Sequence, residues 1–492
     1  MSPYGYMNEL TSSKHRSEYA VLRPVHHEEA TIGSDSALPA GPRYPSLIQG
    51  IGTWTRPLAY MERCRARYGK RYTIRFPASP PFVMLSDPDE VKQVFTAPPD
   101  VLHPGQGARV LEPIVGANSV ILLDGDAHMR QRKLMLPAFH GEKMERLGGL
   151  MAEVAEREVA SWPRGEAIEL QERFQHLTLE IILRAVFGLD PGARLDALRG
   201  RLSEMLRIGD SPISLAPIDP EGLAGRLLAM TPPFARFLRL QEEADTLIFE
   251  LIEERRREGE GRDDVLTMLL AARDEEGSPM TNQELRDELM TLLVAGHETT
   301  ASSLSWGFER LLRLPDALGR LVEEIDAGEE DAYLTATIQE TLRRRPVLPN
   351  AAPRLIMQPL EVGGWEYQPG ACLVPATYLI HHDPAIYADP YAFRPERFLE
   401  SPPGTYTWTP FGGGRRRCLG ASFATMEMKV VLRSVLGGCE LAPAEPPPEA
   451  ARRRNITVRP GRGSRVLVRQ RAGRSAGEVR KPRPEVELGQ LT

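Results

Sequence analysis

Apolar positions recur at helical spacing through most of the middle of the chain. From Gly125 onward, amphipathic segments near 125–136, 142–161, 167–187, 194–207 and 233–258 each predict a helix. Before them, Tyr72–Phe76 and Phe82–Ser86 flank a proline-rich turn and predict a β-hairpin. Asp87-Pro88 supplies an N-cap and a first-turn proline for a short helix through Ala97. Thr281-Asn-Gln-Glu284 is a capping box, and the helix it opens can run to about Leu314, just before Pro315. At ~1.5 Å per residue that helix is roughly 50 Å long. Leu285, Leu289, Leu292, Leu293, Leu304, Phe308 and Leu311 give it an apolar face.

Extended segments return around Leu355–Val362 and Cys372–Pro375, and an apolar helix-forming run follows from Ala421 to Leu436. The pattern breaks at His103–Ser119, which is irregular, and at Gly209–Pro233, a candidate mobile lid. Residues 1–37 carry no sustained periodicity and read as a flexible arm; the proline-rich stretch 39–45 is a stiff entry. The stretch 469–492 is charged without an apolar face and reads as a disordered tail. The expectation is one large, mostly α domain with a small β region over 38–468.

Composition narrows this only slightly. The 492 residues are 41% hydrophobic and 26% charged, enough for a large core, and the net charge of −6 gives no general pull towards nucleic acid or anionic membrane. The four cysteines (Cys64, Cys372, Cys418, Cys439) are widely spaced, which argues against a disulfide framework or zinc ribbon and suits a reducing cytoplasm. No apolar run reaches the ~18–20 residues of a membrane span. The first forty residues lack the layout of a signal peptide.

Chemistry concentrates in two stretches. In Phe411-Gly-Gly-Gly-Arg-Arg-Arg-Cys418-Leu-Gly420, one cysteine ends a glycine- and arginine-rich loop just before a helix. Gly412, Gly413 and Gly414 can take positive φ and bring backbone N–H groups near the sulfur. The helix start and three arginines add positive charge, so the setting favours a thiolate. From the loop alone, a small buried cysteine beside a glycine turn is the alternative. The second stretch, Ala295-Gly296-His297-Glu298-Thr299-Thr300, interrupts the apolar helix with a glycine and an acid–alcohol pair. A zincin would need His at position 301, where Ala301 stands. Back-bonded threonines with a solvent-facing Glu298 are the structural alternative.

Phe411, Gly414, Arg416, Cys418 and Gly420 match F-x-x-G-x-R-x-C-x-G, and Ala295–Thr299 match [AG]-G-x-[DE]-T. On these motifs the chain resembles the cytochrome P450 superfamily of haem-thiolate monooxygenases, from about Pro39 to Val468, in its soluble bacterial form. The resemblance implies a single-domain fold with haem b between the long helix and the cysteine loop. It makes Cys418 the iron ligand, whose thiolate favours O–O cleavage. Phe411 would shield the sulfur and Arg416 would pair with a haem propionate. Ala295 and Gly296 would leave room for oxygen and substrate, while Thr299 and Glu298 would support proton delivery.

By the same resemblance, His128 and Arg132, four apart in Asp124-Gly-Asp-Ala-His128-Met-Arg-Gln-Arg132, would contact propionates, as would Arg354; many relatives have Trp where His128 stands. A surface basic helix is the bland alternative. Glu340-Thr-Leu-Arg343 and Arg397 would form a buried structural brace. Arg415 and Arg417 would belong to a basic patch for a separate ferredoxin- or flavodoxin-type electron donor with its reductase, whereas Arg452–Arg454 reads as a solvated face. Substrate contacts would come from 109–119, 209–233, 294–299, 347–352 and 455–458, whose few fixed charges imply a hydrophobic ligand; the Ala295–Thr300 stretch resembles that of fatty-acid-oxidising relatives, with terpenoid and polyketide-like substrates as alternatives. The implied reaction is insertion of one atom of O2. A peroxygenase or isomerase of the same fold, and a ligand- or gas-binding sensor or carrier without turnover, are the alternatives.

Overall fold

The long central helix, Asn282–Leu311, forms because Thr281 and Glu284 close a reciprocal cap: the Thr281 hydroxyl accepts from Glu284 N (3.2 Å) and the Glu284 carboxylate accepts from Thr281 N (2.8 Å). It stops three residues short of the expected Leu314, because Pro315 starts a new helix, Pro315–Ala327. Proline pushes the residue before it out of helical geometry, and Leu314 serves as the next N-cap. In this computed structural model the described residues are 38–471, except 140–141, 210–230, 260, 329 and 447. The expected arm over 1–37, nearly all of the candidate lid and residues 472–492 lie outside them. A compact unit begins at Leu38.

Helices Leu170–Ala185, Pro232–Glu258, Ala332–Arg344 and Ala421–Gly438 pack around the central helix. Leu285, Leu289, Leu293, Phe308 and Leu311 are fully buried in the main core. Among the described residues no helix is long and apolar enough to cross a membrane.

The strands are short: β1 (Arg71–Ile74), β2 (Phe82–Leu85), β3 (Leu102–His103), β4 (Ala167–Glu169), β5 (Arg354–Ile356), β6 (Leu360–Val362), β7 (Trp365–Tyr367), β8 (Cys372–Pro375), β9 (Glu440–Pro443), β10 (Ala451–Arg454), β11 (Thr457–Pro460) and β12 (Arg465–Arg469). The expected hairpin forms with Arg71 opposite Leu85 and Ile74 opposite Phe82, and extends into a five-stranded sheet, β1-β2-β8-β5-β3. Asp87 caps the following helix, Pro88–Thr96, accepting from Asp89 N at 3.0 Å.

Three further stretches differ from expectation. Ala167–Glu169 is strand rather than helix, because Ile168 is its one buried residue and pairs across β12 with Val466. The irregular stretch 103–119 contains short helical turns at Pro104–Gly107, Arg109–Leu111 and Glu112–Val115. The last strand runs to Arg469, just past the expected end of the domain.

Candidate functional site

The cysteine loop is shaped by close approach as much as by φ. Gly412 and Gly414 take left-handed φ of 68° and 63°, whereas Gly413 is extended at −164°. What demands glycine at 413 is Phe95: a Cβ there would sit 2.5 Å from the ring. At 414 a Cβ would lie 2.1 Å from the Phe95 carbonyl oxygen. Cys418 N donates to the Phe411 carbonyl (2.9 Å), closing the loop, and Gly420 caps helix Ala421–Gly438. The Phe411 ring packs edge-on against Trp408.

Cys418 is the exposed cysteine, while Cys64, Cys372 and Cys439 are buried. Its sulfur is reachable yet ringed by protein, and that burial pushes the thiol up. A backbone N–H at Gly420 and the charges of Arg132 and Arg417 pull the other way. The expected thiolate-favouring setting is thus not met by the protein alone: of the groups expected to lower the thiol only Arg417 does so, with Gly420 N–H and Arg132, and burial outweighs them.

Four basic side chains gather beside this loop. His128 and Arg132 share a face of helix Gly125–Met135. Burial and the charges of Arg416 and Arg132 push His128 down to about 3. Arg354 is 5% exposed, its guanidinium donates to the Ala352 carbonyl (3.0 Å), and it lies over the Phe95 ring at 4.7 Å. Burial and Arg416 push it down to about 9. Neither Arg132 nor Arg354 has a carboxylate partner among the described residues.

Arg416 is answered by Asp124 (2.7 Å) and donates to the carbonyls of Val120 and Leu123. Asp124 is a site residue that the sequence disguised. It stands where an N-cap should, yet it accepts from Gly105 N (2.9 Å), Gln106 N (3.1 Å) and Arg416 rather than from its own helix.

On the central helix, Ala295 is exposed and the Thr299 hydroxyl, one turn on, donates back to its carbonyl at 2.6 Å. Gly296 does not leave room on that side as the motif implies. A Cβ there would meet Ile182 Cδ1 at 2.8 Å, so Gly296 lets helix Leu170–Ala185 approach. Glu298 does not face solvent either. It is ion-paired to Arg454 (3.0 Å), accepts from Gln175 and from Ser302 (3.2 Å), and lies 3.5 Å from Gln171 Nε2. Arg452–Arg454 is thus strand β10 with only Arg452 exposed, rather than a solvated face.

The brace forms behind the loop. Glu340 and Arg343 are fully buried and joined twice, at 2.7 and 2.8 Å, and Arg397 reaches Glu340 at 3.1 Å. Arg343 also donates to the carbonyls of His381, Pro390 and Ala392, which fixes the segment leading to Phe411.

A cytochrome P450 family model matches residues 39–465. The chain belongs to the cytochrome P450 family. A Mycobacterium tuberculosis protein named "Putative cytochrome P450 135B1" is 39% identical over 443 residues, covering 89% of this chain and 92% of that one. "Putative cytochrome P450 138" of the same organism is 38% identical, covering 88% and 97%. Among solved structures, the cytochrome P450DA haem domain superposes with a TM-score of 0.75 at 22% identity, covering 88% of this P450 and 98% of that chain. Retinoic acid-bound cyanobacterial CYP120A1 does so at 0.74 and 22%, covering 88% and 100%. At that identity the likeness speaks for the fold.

P450s carry haem on a cysteine thiolate, and the residues present fit it. An exposed cysteine on a rigid loop lies beside Arg132 and Arg354, two enclosed guanidiniums without an acidic partner among the described residues, and their charge calls for an anion. Haem brings two carboxylates, which would offset that desolvation.

Proposed function

We propose that this P450 is a monooxygenase that uses haem b, with Cys418 as the iron ligand, to insert one atom of O2 into a hydrophobic small molecule. The observation that carries the reading is the cluster of His128, Arg132, Arg354 and Arg416 beside Cys418, short of acid by more than one charge. His128, Arg132 and Arg354 would take the propionates, and Arg416 would share itself between a propionate and Asp124. Bound there, haem supplies the redox centre at which O2 is reduced.

The protein's part follows from its side chains. Thr299, on the open face of the central helix, holds a hydroxyl whose proton is given to the Ala295 carbonyl at 2.6 Å, and releasing that bond would let it pass a proton towards the haem side. Glu298, one residue away, is the acid that can resupply it. Segment 116–121 is pinned to the central helix, with Asp287 accepting from Asn118 N (3.0 Å) and Glu288 from Val120 N (2.7 Å). Hairpin β10–β11 packs on the same helix, and Val458 N donates to the Val347 carbonyl at 2.8 Å. Two of the expected substrate segments are thus held against the helix that carries 294–299, with Val347 joined to one of them, and their Val, Ile and Ala content suits a hydrophobic substrate. Electrons come from a separate ferredoxin- or flavodoxin-type protein.

The carbon monoxide difference spectrum of the reduced protein tests the core of this. A strongly red-shifted Soret band that disappears in Cys418→Ala is expected. A band typical of histidine ligation, or no haem, overturns the reading. With a surrogate donor, Thr299→Ala is expected to divert most of the NADPH consumed into peroxide.

A further inference from the structure

The Arg452–Arg454 run, which sequence alone assigns to a solvated surface, reaches the acid of the central helix. Arg454 ends β10, and its position is set by a self-supporting turn. Asn455 is left-handed at φ 51°, Arg453 Nε donates to its carbonyl (2.8 Å), and Thr457 Oγ1 donates to the Arg454 carbonyl (2.8 Å). Trp306 of the central helix holds the returning strand by donating to the Val458 carbonyl at 3.0 Å. From this fixed base Arg454 meets Glu298 at 3.0 Å, with the two side chains 15% and 16% exposed.

Helix Leu170–Ala185 completes the enclosure. Gln175 donates to Glu298 Oε2, while Gln171 lies 3.5 Å from Oε1 and donates to Ser302 Oγ at 3.1 Å. Among the described residues, His297, which feels the charges of Arg454 and His176, is a further titratable group beside the pair. His297 is buried with its carbonyl accepting from Thr178 at 2.9 Å, and burial and Arg454 push it down to about 3, so it adds no positive charge at neutral pH. Glu298 is thus held on the face of the central helix turned to Gln171, Gln175 and Arg454. Ala295 and Thr299 occupy the adjacent, open face.

We propose that Arg454 and Gln175 are positioning residues that tether Glu298 in a resting place, and that this tether limits proton supply to the Thr299 side of the helix. The inference rests on the monooxygenase reading. Productive turnover is RH + O2 + 2 H⁺ + 2 e⁻ → ROH + H2O, with electrons from the separate donor protein and protons from water through Glu298. Without substrate, the same electrons and protons yield O2 + 2 H⁺ + 2 e⁻ → H2O2. A carboxylate held by a guanidinium and an amide is a poor proton carrier, because it must leave both partners to exchange with water. Idle reduction of O2 is slow while the tether holds.

The test uses the haem-loaded protein without substrate, a plant-type ferredoxin and its NADPH-dependent reductase as surrogate donor, and peroxide as readout. Arg454→Gln is expected to raise substrate-free NADPH consumption and peroxide release three- to tenfold. Arg454→Lys should restore the parent rate. Glu298→Gln/Arg454→Gln should match Glu298→Gln alone, because Arg454 acts through Glu298. Independent of turnover, the infrared carboxylate band assigned by its loss in Glu298→Gln should shift in Arg454→Gln.

An unchanged peroxide rate in Arg454→Gln, or an Arg454→Gln effect that persists in full without Glu298, overturns the proposal. If Arg454→Gln folds poorly, Gln175→Leu removes the second tether with every charge in place. It must raise peroxide release in the same direction, and a parental rate overturns the proposal too. Failure of the monooxygenase reading is seen separately, as absence of the Cys418-dependent carbon monoxide band in the parent protein.

Discussion

Glu340 shows how much one buried charge can organise. Its carboxylate is fully enclosed and answered by Arg343, Arg397 and the Arg394 N–H (2.8 Å), so charge and hydrogen-bonding capacity are both used. Removing the acid would strand two guanidiniums in the core. Glu340→Ala is therefore expected to destabilise the fold by ~3–5 kcal/mol, read by urea unfolding, since an uncompensated buried charge costs more than the pair contributes. Arg354 is the opposite case, a buried guanidinium with no acid among the described residues. Arg354→Met should leave the protein as stable or more so without haem, yet release haem faster to a haem-scavenging protein. Slower or unchanged release would remove Arg354 from the cofactor site.

At the scale of elements, the cysteine loop separates two demands on glycine. A Cβ at Gly412 meets nothing closer than 4.0 Å, so Gly412→Ala costs only left-handed strain, ~1–2 kcal/mol. Gly414→Ala adds a collision with the Phe95 carbonyl, backbone that a side-chain shift cannot clear. The carbon monoxide band should survive the first substitution and be largely lost in the second. The sequence made the capping box at Thr281, the hairpin from Tyr72 and the cysteine helix legible, because each announces itself by residues next to one another in the chain.

It hid the helix Ser46–Thr55, where Gln49 and Thr53 are buried while Leu47, Ile48 and Ile51 are exposed, so its pattern runs inside out. Gln49 is buried because it donates to the Pro42 and Tyr44 carbonyls just before its helix and accepts from the Arg75 N–H, a partner that only tertiary structure supplies. The same holds at the site. Cys418 and Thr299 were readable from their own neighbours. Asp124 and Arg454 owe their roles to residues far away in the chain, Arg416 and Glu298.

For the whole molecule, long-range charge decides both partner choice and response to pH. Arg415 and Arg417 are exposed beside the cysteine loop, so reversing both to Glu should slow reduction by an acidic donor at least tenfold at low salt, with the deficit shrinking as salt rises. Buried groups act on stability instead. Burial pushes Glu288 and Glu427 up to about 8, the latter with the Thr300 hydroxyl as its polar neighbour, and pushes His297 and His381 down to about 3. Between about 4.5 and 8 each glutamate holds a proton when folded and loses it when unfolded, so stability falls as pH rises, by ~1.4 kcal/mol per unit per group. Between about 3 and 6.5 each histidine is neutral when folded and protonated when unfolded, so stability rises with pH. The two pairs oppose each other from 4.5 to 6.5, and above 6.5 only the glutamates still act. Urea unfolding from pH 6.5 to 8 should show falling stability, and Glu427→Gln should take away about half of that slope because the amide cannot ionise in either state. A slope unchanged in Glu427→Gln would mean that Glu427 is already ionised in the folded protein, with a partner that burial alone does not supply.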